Sequence, residues 1–285
     1  MTRLRNRLAT LLLCSGIAGC GDPGVSAGKP TVAVSVLPLA YIVDQLSSDL
    51  VQTVVMLPPG ASPSQYQPTM GQLRALADAS LYVKIGHPNF PFEAAWLDRL
   101  LEGAPGVAVV DTSGGLSDLA DDPHIWLAPE RMGAMSARVA DALAAILPAH
   151  AEELTTNLLR LQGEIRALDR EIRETFEPAL ARGSRPAFLV QHPAWGHFAR
   201  AYGLEQVAVE QHHRQPDPHA LAQRIRWARQ HGIRFIFVQP QIDPTPAETV
   251  AAEIGAQVVQ LDPLAYDWAA NLRGVAIAVS EGLSQ

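Results

Sequence analysis

Cysteine is nearly absent from the chain. Its 285 residues hold two, Cys14 and Cys20, both within the first twenty positions. Everything after Cys20 therefore lacks the means for a disulfide or a thiolate metal site. Any metal held there must be held by nitrogen and oxygen. Positive charge is also scarce: 22 Lys and Arg stand against 29 Asp and Glu, for a formal net charge of -7. With no basic cluster in the body, a nucleic-acid partner is not expected, and a cationic ligand is mildly favoured. No later run is apolar for long enough to span a bilayer. The local signatures of hydrolases and nucleotide enzymes are missing as well: there is no G-x-S-x-G, H-E-x-x-H or Walker loop. A Ser-His-Asp set is recognised by geometry and stays open, but nothing local nominates a nucleophile. Apolar residues are plentiful, at 48%, which is ample for a core in one or two domains.

The first twenty residues read as an export signal. Arg3, Arg5 and Arg7 precede an apolar stretch from Leu8 to Ala18, and small residues lead to Cys20. Basic, then apolar, then small is the order of a secretory leader. Ile17-Ala18-Gly19-Cys20 resembles the processing box of bacterial lipoproteins. That resemblance implies cleavage before Cys20 and a lipid on its thiol, which anchors a protein at a membrane without spanning it. Residues 1–19 are then the leader and 20–30 a short flexible tether. Loss of the three arginines takes the formal net charge from -7 to -10.

The rest alternates short apolar runs with helical patterns, an α/β signature. Strands are expected at Thr31–Leu37, Val51–Leu57, Leu81–Ile85 and Val107–Val110. A second series is expected at Ala187–Val190, Val207–Glu210, Phe235–Val238 and Gln257–Leu261. Helical patterns lie between them. Pro129–Ile146 reads as one helix, and a longer one runs from His150 to about Phe176. Its apolar stripe is Leu154, Leu158, Leu161, Ile165, Leu168 and Ile172, over roughly 40 Å. A short coiled coil would share that spacing, but between two α/β halves it reads better as a connecting spine. The expected organisation is an N-terminal lobe at 31–128, a helical connector at 129–185 and a C-terminal lobe at 186–285. Ligands in such layouts bind where loops leave the carboxyl ends of strands, and often between domains.

Nine histidines are present, and position singles out a few. His192 directly follows the strand AFLVQ, Asp262 follows QVVQL, and each precedes a proline. His124 lies in DDPHIW. Imidazole and carboxylate suit a divalent transition metal. His87, in KIGHPNF, again follows a strand; it reads either as a ligand, as a group that orients one, or as a ring packed among Phe90 and Phe92. No local metal-spacing motif is present, so each of these also reads as an ordinary loop residue. Glu210, His212, His213 and His219 in EQHHRQPDPH could bind metal, or could form a solvated loop before a helix capped by Asp217.

Five stretches together resemble a known family: MLPPGASPSQYQP, DPHIWLAPERM, the long helix, VQHPAWGHFARAYGLEQ and VVQLDPLA. In order they cover nearly all of the chain after the tether. They resemble the metal-binding solute receptors of bacterial ABC importers, the zinc and manganese type. The resemblance implies two α/β lobes bridged by one long helix and a divalent cation held in the cleft. It also implies delivery to a membrane permease, no covalent chemistry and a monomer. Three of the family's four ligand positions match His124, His192 and Asp262. The fourth, a histidine in the family, is Ser64 here. His87 is the expected replacement, with Gln65 or a water as alternatives. The nitrogen-rich set places Zn2+ ahead of Mn2+. Two other readings stay open. One is a receptor of the same fold that recognises another solute. The other is an exported metallohydrolase with Glu210 as general base.

Overall fold

The computed structural model describes residues 28–116, 121–182, 186–210 and 217–283. The leader with Cys20, together with His212 and His213, lies outside the described residues. Two parallel four-stranded sheets form the frame. The first holds β1 (Thr31–Val34), β2 (Gln52–Val55), β3 (Leu81–Lys84) and β4 (Ala108–Asp111), in the order β2-β1-β3-β4. The second holds β5 (Ala187–Val190), β6 (Glu205–Ala208), β7 (Phe235–Val238) and β8 (Gln257–Gln260), in the order β6-β5-β7-β8.

Parallel strands need crossover segments. In the first sheet these include α1 (Leu37–Ser47), α2 (Met70–Ala77) and α3 (Pro91–Glu102). In the second they are α6 (Gly196–Ala201), α7 (Pro218–Gln230) and α8 (Thr245–Ile254), and α9 (Trp268–Leu283) closes the lobe. Asp217 caps α7 as its sequence indicates: its carboxylate accepts from the Ala220 N–H at 2.8 Å. Sheet covering explains the apolar runs. Phe188, Val190 and Phe237 belong to a core that runs from one lobe into the other. Their neighbours Leu189, Ile236 and Val238 belong to a second core with Ala228, Ala247 and Val250 of α7 and α8. Alternate residues of one strand thus serve opposite faces.

The connector is α4 (Pro129–Ile146) followed by α5 (Ala151–Leu180). At 30 residues, α5 is about 45 Å long. Leu154, Leu161, Ile165, Leu168, Ile172 and Phe176 form its buried stripe, and Leu158 is partly buried. Its first half is tied to the N-terminal lobe: Asn157 Nδ2 donates to Leu46 O at 2.8 Å and an Arg160 N–H to Gln45 O at 2.9 Å. Its second half is tied to the C-terminal lobe, where Arg273 pairs with Glu171 at 2.7 Å and Arg173 donates to Ala201 O at 3.1 Å. One helix therefore joins both lobes, packed against α1 of the first and α9 of the second. Among the described residues no helix is long and apolar enough to cross a membrane.

Two tryptophans close the junction between the lobes. Trp126 lies in a 3-10 turn, Ile125–Leu127, before α4, and Trp268 opens α9. Trp126 Nε1 donates to Pro263 O at 2.7 Å, and Trp268 Nε1 donates to Trp126 O at 2.8 Å. Both side chains are within 1% of full burial, so both indole N–H groups need these acceptors.

Three substitutions test this frame by chemical denaturation. Leu161→Ala empties a buried position of the spine and is expected to cost about 2–5 kcal/mol. Leu159→Ala, on the exposed side of the same turn, should stay within about 0.5 kcal/mol. Trp126→Phe keeps a ring but leaves the buried Pro263 carbonyl without its donor, at an expected cost of about 1–3 kcal/mol.

Candidate metal centre

The loops that leave the carboxyl ends of the strands carry the sequence-nominated residues. β1 and β3, and likewise β5 and β7, are the neighbours at which strand order reverses, the usual place for a site in an open parallel sheet. His87 follows β3 and His192 follows β5. Asp262 follows β8, whose pairing extends one residue further through Leu261 N–H to Val238 O at 2.8 Å. His124 begins the 3-10 turn that holds Trp126.

The structure brings His124 and His192 together across the lobes. Their rings stand nearly perpendicular, at 78°, with centroids 5.6 Å apart. Each has a carboxylate behind it. Asp122 Oδ1 lies 2.7 Å from His124 Nδ1 and also accepts from the His124 backbone N–H at 3.0 Å. Glu210 Oε2 lies 2.8 Å from His192 Nδ1. Burial opposes ionisation of Asp122. The hydrogen bonds and charge of His124, and the charge of His197, outweigh it and hold the carboxyl below its ordinary range. An ionised carboxylate only accepts, so when the ring is neutral the His124 proton sits on Nδ1 and the lone pair on Nε2. That is the tautomer a metal-binding imidazole uses when a carboxylate supports it.

Asp262 is arranged in the same spirit. Its Oδ1 accepts from Gln241 Nε2 at 2.6 Å and from Leu264 N–H at 2.9 Å. Among the described residues Oδ2 has no hydrogen bond, and it is the oxygen left for a cation. Asn271 Nδ2 donates to the Asp262 carbonyl at 2.8 Å. The bond from Trp126 to Pro263 lays this loop beside the His124 turn.

His87 and Ser64 fare differently. His87 is buried at 6% exposure in a turn closed by Phe90 N–H to His87 O at 3.0 Å. Its Nδ1 accepts from Asn89 N–H at 3.2 Å, and Asn89 Nδ2 reaches Asp121 O at 3.5 Å. The His87 turn therefore borders the His124 loop. Coordination through Nε2 would move the His87 proton to Nδ1 and give up the Asn89 bond. Ser64 and Gln65 are exposed, and the Ser64 hydroxyl lies 3.1 Å from that of Ser62. Among the described residues no three His, Cys, Asp or Glu side chains are gathered closely enough to hold an ion as they stand. What is assembled is a pair of histidines on carboxylate supports.

Three contributors escaped the sequence reading. Asp122 carries the one available signal, a carboxylate two residues before a histidine. Gln241 has no signal short of the sheet order. His197 is buried at 2% exposure, with Nε2 3.0 Å from Asp122 O. Glu210, considered as the base of a hydrolase, is engaged with His192 instead.

Comparison with known proteins follows the same line. A sequence model of the family ZnuA, zinc-uptake complex component A, periplasmic, matches residues 32–274. A putative metal-binding protein of Chlamydia muridarum is 25% identical over 287 residues, which is 96% of this chain and 99% of its own length. The zinc-binding lipoprotein AdcA of Streptococcus pneumoniae is 24% identical over 87% of this chain, which spans only 52% of AdcA. A crystal structure of ZnuA superposes with a TM-score of 0.83 at 32% identity, over 89% of this chain and 99% of that one. A zinc-bound ZnuA deletion mutant gives 0.82 at 32% identity, over 89% and 97%. The periplasmic zinc-binding protein TroA of Treponema pallidum, at 20% identity over 90% of this chain and all of its own, shares the fold with a TM-score of 0.79. The chain belongs to the zinc-uptake complex component A family, extracytoplasmic metal-binding receptors of ABC importers, and is a solute-binding protein, not an enzyme.

Proposed function

We propose that this receptor captures one zinc ion between its lobes through His124, His192 and Asp262 and passes it to a membrane ABC permease. The observation that carries this is the His124–His192 pair, which joins the lobes and has a carboxylate at each Nδ1. Both supports favour Nε2 as the metal-facing nitrogen. Two imidazoles and a carboxylate oxygen suit zinc better than manganese by ligand preference. Closing the set requires Asp262 to approach the pair, and the long α5 restricts the lobes to small movements. His87 is the fourth ligand in this reading, recruited by the tautomer change described above. Anchoring through a lipidated Cys20 and action as a monomer complete the picture.

The exposed Ser64 keeps one other reading in view: a receptor of the same fold whose solute is not a transition metal. Equilibrium dialysis of metal-stripped protein with zinc separates the two. The expected result is one ion per chain, with zinc outcompeting manganese. His124→Ala and His192→Ala should each weaken zinc binding by at least about 100-fold, since even loss of a ligand's support costs roughly 10–100-fold. Zinc affinity should fall as pH drops from about 7.5 to 5, because protons compete for imidazole and carboxylate. An affinity indifferent to pH over that interval removes the histidines from the site. His87→Ala should lower both affinity and coordination number by X-ray absorption; if neither changes, the fourth ligand is another group.

A further inference from the structure

Glu210 has an environment that a loop carboxylate does not ordinarily occupy. Its side chain is 9% exposed, while that of His192 is 15% exposed. Taking a carboxylate out of water is costly unless it is hydrogen-bonded, and the partner the structure records for its side chain is His192 Nδ1 at 2.8 Å. The backbone explains how it arrives there. β5 and β6 are parallel neighbours with Val190 opposite Ala208. Their pairing runs past the strand ends, through Val209 N–H to Val190 O at 2.8 Å and Glu210 N–H to Gln191 O at 3.0 Å. That continuation delivers the Glu210 carboxylate to the imidazole that follows β5.

We infer that Glu210 is a positioning residue of the metal site, acting through His192 and not as a ligand itself. The inference rests on the zinc-receptor reading above. As an acceptor, Glu210 fixes the His192 proton on Nδ1, leaves the Nε2 lone pair for the ion and sets the plane of the ring. It also makes Nε2 a stronger donor. The C-terminal lobe thereby matches the N-terminal one, where Asp122 does the same for His124. The pair of carboxylates adds negative charge close to the ion without occupying its coordination positions.

The test uses the metal-stripped protein, Glu210→Ala and Glu210→Gln. Zinc affinity is read by competition with a chromophoric chelator, site geometry by the visible spectrum of the cobalt(II) form, and the His192 tautomer of the metal-free form by 15N NMR. Glu210→Ala is expected to weaken zinc about 10–100-fold, to alter the cobalt spectrum and to release His192 from the Nδ1–H tautomer. Glu210→Gln can still accept from Nδ1–H through its amide oxygen, so it should keep the tautomer and recover part of the affinity. A purely structural role would lower the melting temperature of both variants and leave the tautomer and the cobalt spectrum of the folded fraction unchanged, which overturns the inference. Zinc affinity of Glu210→Ala within about twofold of the parent also overturns it. Loss of one oxygen from the zinc shell by X-ray absorption overturns it too, by making Glu210 a ligand. Should Glu210→Ala not fold, the cobalt spectrum and tautomer of Glu210→Gln and Glu210→Asp decide. If the parent protein binds no zinc, the receptor reading fails; if it does and Glu210→Ala is indifferent, this inference alone fails.

Discussion

The junction between the lobes depends on two indole N–H groups that have nowhere else to go. Trp126 and Trp268 are each buried to within 1%. Each donates to a main-chain carbonyl across the junction, at 2.7 and 2.8 Å. A buried N–H without an acceptor is costly, so the two sides are held in one register. The turn that begins at His124 and the segment that runs from Asp262 to Trp268 are the two partners in this exchange. Tyr266 adds to it, with its hydroxyl on Asp44 Oδ2 at 2.7 Å and its ring 6.3 Å from that of Tyr41. The last loop of the second sheet is thus fastened to the first lobe. Packing that looks purely structural sets where two of the nominated ligands stand.

The polar part of the site is built on that foundation with little waste. Asp122, Glu210 and Gln241 each engage one atom of a nominated ligand. Supports of this kind reduce the cost of holding ligands in productive orientations. Buried charge nearby is handled in the same way. Glu93 accepts from Ser35 Oγ, Ile85 N–H and Gly86 N–H at 2.5, 2.6 and 2.8 Å, immediately before His87. Burial still pushes that carboxyl above its ordinary pKa. Gly86 has φ +83, and a Cβ there would stand 2.0 Å from Asp111 Oδ1. The His87 turn is consequently fixed by backbone geometry as much as by its own side chain.

Much of this was legible in the chain itself, for physical reasons that differ by element. The strands showed because parallel sheets covered on both faces read as short continuous apolar runs. The spine showed because its buried stripe repeats at helical spacing, although α5 runs past Phe176 to Leu180. β6 was misplaced by two residues, expected at Val207–Glu210 and found at Glu205–Ala208. Its position is set by pairing with β5, where Glu205 N–H meets Pro186 O at 2.8 Å, and an edge strand need not carry its apolar residues centrally. His192 and Asp262 could be nominated because strand ends are visible in a sequence. Their partners could not. Glu210 meets His192 through sheet pairing across 18 residues, Gln241 meets Asp262 across 21, and Trp268 meets Trp126 across 142. No local pattern records such distances.

All eight strands among the described residues are four residues long. Each outer strand, β2 and β4 on one sheet and β6 and β8 on the other, therefore offers a free edge of only about 13 Å. Val109 on β4 and Val258 on β8 are 42% and 38% exposed, so these edges are not shielded by bulky cover. Their brevity does the shielding. An extended segment of another chain would find too few backbone groups in line to be captured. Outer strands this short offer little purchase for edge-to-edge pairing with another chain.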